Sequence, residues 1–71
     1  MGLKLHEAME QVLREYGIPM KASAIATEIN RRHLYERKDK MPVPSSQIHA
    51  RAKNYPGLFI KTSTGEIDLT K

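Results

Sequence analysis

Near the start of the chain the apolar positions are Leu5, Ala8, Met9, Val12, Leu13 and Tyr16. That spacing keeps to one face of an α-helix and predicts a first helix over about residues 3–16. Lys4, Glu7, Glu10, Gln11, Arg14 and Glu15 fall on the other face. Gly17 ends the helix, because glycine accepts the left-handed conformation that a helix end often needs. Pro19 biases Ile18 toward extended backbone, so Ile18-Pro19-Met20 reads as a short extended piece able to form a one-bridge edge strand. Ala22, Ile25, Ala26 and Ile29 begin a second stripe, which Leu34 or Tyr35 could extend. It predicts a second helix over about 22–33. Lys21 is a poor N-cap, and Ser23 is a good one placed slightly late. The charged run Glu36-Arg37-Lys38-Asp39-Lys40 has no apolar member and reads as an exposed loop.

Met41-Pro42-Val43-Pro44-Ser45-Ser46 announces a third helix, over about 45–54. Proline is preorganised for a first helical position, and either serine can cap nearby amides. Ile48, Ala52 and Tyr55 share its apolar face, and Pro56-Gly57 ends it. Leu58–Lys61 and Glu66–Leu69 both read as strands. The turn Thr62-Ser63-Thr64-Gly65 between them predicts a β-hairpin over about 58–69. This order is that of a winged helix-turn-helix: a mostly α, α+β fold in one domain over residues 1–71, with three helices and a C-terminal hairpin wing. Leu5, Met9, Val12, Leu13, Tyr16, Ile25, Ile29, Ile48, Ala52, Tyr55, Phe59, Ile67 and Leu69 are the expected core.

Composition narrows the function classes. The chain has 71 residues, 39% of them hydrophobic and 28% charged, and no cysteine, which excludes disulfides and thiolate metal sites. Its longest apolar run, Leu58-Phe59-Ile60, is far short of the ~20 residues that span a bilayer. No secretory signal pattern is visible. The expected location is the cytoplasm, on the nucleoid, in a bacterium, or the nucleus in a eukaryote. The formal charge of +4 makes nucleic acid the first partner to consider. That charge is uneven: residues 1–20 carry a net −1, and residues 21–71 carry +5.

From Ala8 to Leu69 the chain resembles the HARE-type helix-turn-helix domain. The marks are the amphipathic first helix, Gly17-Ile18-Pro19-Met20, then Ile25 and Ile29, then Val43-Pro44-Ser45-Ser46-Gln47-Ile48, and finally Phe59, Gly65 and Leu69. That family occurs in restriction-endonuclease-associated proteins, additional-sex-combs-like chromatin proteins and the delta subunit of bacterial RNA polymerase. The resemblance implies a winged helix that binds DNA or works beside DNA-processing machinery. The polymerase-delta relatives use the domain for protein contact. Most relatives also carry a catalytic, chromatin-binding or acidic partner region. The chain is therefore either a free-standing small protein or a piece of a longer one.

In helix-turn-helix proteins the second helix of the motif enters the major groove. Here that is the third helix of the chain. On a helical wheel Ala52 and Tyr55 cluster with Ile48, whereas Ser46, Gln47, Ala50, Lys53 and Asn54 point away, with His49 and Arg51 on the flanks. Ser45 opens the helix beside them. Gln47 and Asn54 suit the adenine edge, Ser46 a base or a phosphate, and Arg51 and Lys53 phosphates or guanine. Ala50 lets the helix approach closely. At the wing, Lys61, Thr62, Ser63 and Thr64 offer a cation and hydroxyls to phosphates, opposed by Glu66 and Asp68 close behind. Arg31 and Arg32 complete the candidate DNA surface, because a helix fixes their direction.

Catalysis is not expected. His6, His33 and His49 lie on separate elements without metal-ligand spacing, and no phosphate-binding loop, nucleophile elbow or HExxH motif occurs. No cofactor and no metal are expected. Double-stranded DNA is the leading partner, bound by a monomer or weak dimer in transcriptional regulation or in targeting a DNA-processing complex. The competing expectation is a protein-interaction module for RNA polymerase, a nuclease or a chromatin protein. Its surface would be the acidic first helix, or an apolar residue such as Leu34 or Leu58.

Overall fold

A computed structural model describes residues 3–70. The chain forms α1 (Leu5–Tyr16), α2 (Ala22–Arg32), α3 (Ser45–Asn54), β1 (Phe59–Lys61) and β2 (Ile67–Leu69). The two strands pair antiparallel, with Phe59 opposite Leu69, Ile60 opposite Asp68 and Lys61 opposite Ile67. Three helices and a closing hairpin make this a winged helix.

The stripe on α1 is the strongest organiser. Leu5, Ala8, Met9, Val12 and Leu13 are all buried. The helix starts at Leu5 rather than residue 3, and the Glu7 carboxylate accepts the Lys4 backbone N–H at 3.0 Å. An acid in the first turn also favours the positive end of the helix dipole. Gly17 closes α1 at φ 70°, and its N–H donates to the Leu13 carbonyl at 2.8 Å. Tyr16 was expected in the core but is 43% exposed. It keeps the helical period, yet it is the last residue of α1, and the chain turns away immediately after it.

Beyond Gly17 the extended piece pairs as a one-residue third strand. Met20 and Ile67 exchange both backbone hydrogen bonds, at 2.9 and 2.7 Å. This bridge ties the α1–α2 connection to the wing and buries Met20. Met20 is not among the core residues expected from the helical stripes, because this bridge joins distant parts of the chain.

Helix α2 begins after Lys21 without a side-chain cap, and Ser23 lies inside its first turn. There Ser23 offers its carbonyl to the Thr27 hydroxyl at 2.9 Å. The helix ends at Arg32, with His33 in the left-handed conformation at φ 56°. The Leu34 N–H reaches back to the Ile29 carbonyl, and the His33 N–H to that of Asn30. This double closure is a Schellman motif, which draws the apolar residue after the turn back onto the helix. Leu34 and Tyr35 therefore pack against the core from outside α2.

Within the charged loop the Arg37 guanidinium pairs with Asp39, and Lys40 pairs with Glu36. Asp39 also accepts the Met41 N–H. The loop is thus cross-linked to itself. It delivers Val43 to the core, where only 3% of the residue is exposed. Helix α3 spans the expected residues, but neither serine caps it. Pro44 is the N-cap, and its carbonyl accepts the N–H groups of Gln47 and Ile48. Ser45 and Ser46 occupy the first two helical positions and cap nothing. On α3 Ile48 is fully buried, and Ala52 and Tyr55 are half-buried against the core. Phe59 and Ile67 close the core from the wing.

A candidate nucleic-acid interface on α3 and the wing

The α3 residues named from sequence do share an outer surface. Ser45, Ser46, His49, Ala50, Lys53 and Asn54 are exposed, and Gln47 and Arg51 are half-buried. This follows from the composition of the helix: Ile48 is its one fully packed residue among those described, so the rest of the circumference is open. With Pro44 capping through its carbonyl alone, both serine hydroxyls stay on the surface.

The wing is arranged differently from a simple row of hydroxyls. The Thr62 hydroxyl oxygen accepts the Glu66 N–H at 3.0 Å and lies 3.0 Å from the Thr64 hydroxyl. The Thr64 hydroxyl donates to the Glu66 carboxylate at 3.1 Å. With the Thr62 and Glu66 backbone pairing and Gly65 at φ 85°, these bonds lock the turn. Thr62 and Thr64 are therefore engaged in holding the turn. Ser63 and Lys61 are exposed at the tip.

On α2 the two arginines are held by carboxylates. Arg31 pairs with Glu28 at 2.6 Å. Arg32 pairs with Glu28 through Nε at 3.0 Å and with Glu15 of α1 through Nη1. The Arg32 hydrogen bond holds the Glu15 carboxyl below the usual glutamate range, and the Arg31 hydrogen bond does the same for Glu28. Arg32 is raised in turn, chiefly by the hydrogen bond to Glu15. Of these two candidate DNA contacts, Arg32 thus clamps α1 to α2, and Arg31 is paired within α2. By contrast, among the described residues Arg51, Lys53 and Lys61 take part in no ion pair.

Between α3 and β1 runs a groove of about 410 Å³, lined by His49, Ala50, Ala52, Lys53, Pro56, Phe59, Ile60, Lys61 and Ile67. Its walls carry two lysines and no carboxylate. Four further clefts among the described residues each include at least one Asp or Glu. Sequence reasoning had not marked this groove, although one signal was present: no acidic residue occurs between Asp39 and Glu66.

The HARE-HTH family model, the helix-turn-helix domain of ASXL and restriction-endonuclease proteins, matches residues 3–71. The chain belongs to the HARE-HTH family. Neither a curated protein nor a solved structure matches it significantly. Among the described residues, this HARE-HTH domain has no cluster of three His, Asp or Glu side chains able to hold a metal ion. None of its helices described is long and apolar enough to cross a membrane. The helix-turn-helix of this HARE-HTH domain is α2 and α3, joined by the internally paired loop.

Proposed function

We propose that this domain binds double-stranded DNA without catalysing a reaction, in transcriptional regulation or in targeting a DNA-processing complex. Helix α3 enters the major groove, and the wing lies on the phosphate backbone. One observation carries this reading: the cations of α3 and β1 are unpaired, whereas those of α2 are matched by Glu15 and Glu28. An unpaired lysine or arginine can exchange its counterions for a phosphate, and a cation already held by a carboxylate gains less. Gln47, Asn54 and Ser46 supply hydrogen bonds to base edges, and Ala50 permits close approach. The test is a titration of labelled duplex at two salt concentrations. Binding that weakens with salt and drops in the Arg51→Ala, Lys53→Ala double variant supports the reading. No binding at low salt, or binding indifferent to both substitutions, removes it.

A second reading, contact with a protein partner such as RNA polymerase, a nuclease or a chromatin protein, is favoured by a different surface. Tyr16 and Ile18, 43% and 56% exposed, lie along one shallow cleft with Pro19 and Met20. Isolation of RNA polymerase or a nuclease subunit on the immobilised domain after DNA is digested, lost in Ile18→Asp, would favour it.

A further inference from the structure

The groove between α3 and β1 has a chemistry more specific than positive charge. Its base is apolar: Ala52 from α3, Pro56 from the following turn, and Phe59 and Ile67 from the wing. Phe59 and Ile67 are buried, so this base is the outer skin of the core. Lys53 stands on one wall and Lys61 on the other. Side chains alternate along a strand, so Lys61 leaves the sheet on the same face as Phe59, two residues before it. Its aliphatic stem can cross the apolar base while its ammonium reaches the mouth.

The strand edge adds a backbone donor. The N–H of Thr62 donates to Glu66, and that of Thr70 to Leu58, across the hairpin. In an antiparallel pair alternate residues face the partner, so the Lys61 N–H points away from β2, toward the open edge of the wing. The register gives it no ladder partner, and among the described residues no carbonyl outside the ladder accepts it. Two ammonium groups and one N–H therefore border an apolar trough that holds no acceptor carboxylate.

An anionic chain with apolar links between its charges matches that pattern. A deoxyribose–phosphate strand is such a chain: phosphates alternate with sugars whose C2′ carbon bears only hydrogen. A polyanion carrying a hydroxyl at that carbon would set a polar group against Ala52, Pro56 and Phe59 without a partner, and an unpaired buried hydroxyl costs binding. We propose that the α3–β1 groove seats one strand of the duplex backbone and selects deoxyribose over ribose. Phosphates lie on Lys53, Lys61 and the Lys61 N–H, and the sugar lies on the apolar base. This rests on the DNA-binding reading above and adds a sugar preference that the reading does not require.

The test compares one short labelled duplex in all-deoxy form with the same sequence carrying scattered ribonucleotides, by fluorescence anisotropy. The expected result for the wild-type domain is ~5-fold or more weaker binding of the ribo-substituted duplex. Ala50→Ser is exposed and nearly isosteric, and it places a hydroxyl on the groove wall. It should narrow that ratio, whereas a change of duplex shape alone would affect wild type and variant equally. Ala50→Glu adds the missing carboxylate and should weaken both duplexes. Far-UV circular dichroism checks that each variant is folded. Equal binding of both duplexes by the wild type, or an unchanged ratio in Ala50→Ser, overturns the sugar preference and leaves DNA binding standing. Binding of neither duplex overturns both.

Discussion

Asn30 and Val43 hold each other through a reciprocal pair of hydrogen bonds. The Asn30 Nδ2 donates to the Val43 carbonyl at 3.1 Å, and the Val43 N–H donates to Asn30 Oδ1 at 2.9 Å. The pair lies part-buried, thirteen residues apart in sequence. One side chain of α2 thus imitates a strand partner for the segment that leads into α3. It fixes where α3 leaves the core, and therefore where its outer face points.

Asn30→Ala removes a donor and an acceptor at once and leaves both Val43 backbone groups unmatched. The expected loss is about 1–3 kcal/mol, read as a lower urea midpoint. Asn30→Asp keeps the acceptor for the Val43 N–H but loses the donor, so its midpoint should fall between those of wild type and Asn30→Ala. Midpoints equal to wild type would mean that the loop is held by Val43 packing alone.

The clamp of Arg32 on Glu15 and Glu28 makes a prediction in pH. Both glutamates are depressed below their ordinary value of 4.5, by hydrogen bonds from Arg32 and Arg31 respectively. A carboxyl with a lowered folded-state pKa stabilises the fold above its unfolded value, and that contribution drains away as pH falls through the folded one. Arg32 titrates only in strong base, so acid alone opens the clamp. Arg32→Gln should therefore lower the urea midpoint at neutral pH, and the gap from wild type should close below 4.5. Added salt should narrow it at neutral pH, because these groups face solvent.

Much of this fold is legible in residue order, and the limits have physical causes. The α1 stripe and Gly17 are local signals, since period and glycine conformation act within a few residues. The hairpin is equally local. The Met20–Ile67 bridge, the Asn30–Val43 pair and the Arg32–Glu15 contact join residues far apart in the chain, and no spacing rule marks them. Tyr16 shows the converse: it satisfies the helical period, but the period does not say where the neighbours stop. For the candidate site, the outer residues of α3 could be read from the wheel because so little of that helix packs. The state of the cations could not, because pairing depends on which carboxylates the tertiary fold brings near.

His33 sits at φ 56° at the end of α2 with its side chain exposed. A side chain bearing Cβ pays a steric penalty in that conformation, which glycine avoids. His33→Gly should raise stability by about 1 kcal/mol, seen as a higher melting temperature. His33→Asn should give a smaller rise. A fall in both would show that the imidazole makes a stabilising contact that outweighs the backbone penalty.

His6 of α1 stacks on Tyr55, with ring centroids 4.3 Å apart and planes 18° from parallel. Tyr55 follows α3 directly, so the stack joins the start of α1 to the end of α3. Single substitutions would mix this contact with other losses. A double-mutant cycle of His6→Ala and Tyr55→Ala isolates it, with an expected coupling of about 0.5–1.5 kcal/mol. A coupling near zero would assign the half-burial of Tyr55 to the core alone.

The division between paired and unpaired cations can be read out as a salt slope. Each phosphate contact releases condensed counterions, so the log–log slope of affinity against salt counts the contacts at roughly 0.9 per phosphate. With about three to five contacts the wild-type slope should be roughly −3 to −5. Lys53→Ala and Lys61→Ala should each flatten it by about one, and so should Arg51→Ala if that side chain reaches a phosphate. Arg31→Ala and Arg32→Ala also remove a positive charge, each takes one of the two arginines from Glu28, and Arg32→Ala leaves Glu15 uncovered, so net charge alone would predict that they weaken binding at least as much. A direct-contact interface on α3 and β1 predicts otherwise: affinity falls modestly through the altered field, and the slope stays near the wild-type value. Slopes that flatten for Arg31 and Arg32 but hold for Lys53 and Lys61 would move the phosphate track from the α3–wing face to the flank of α2.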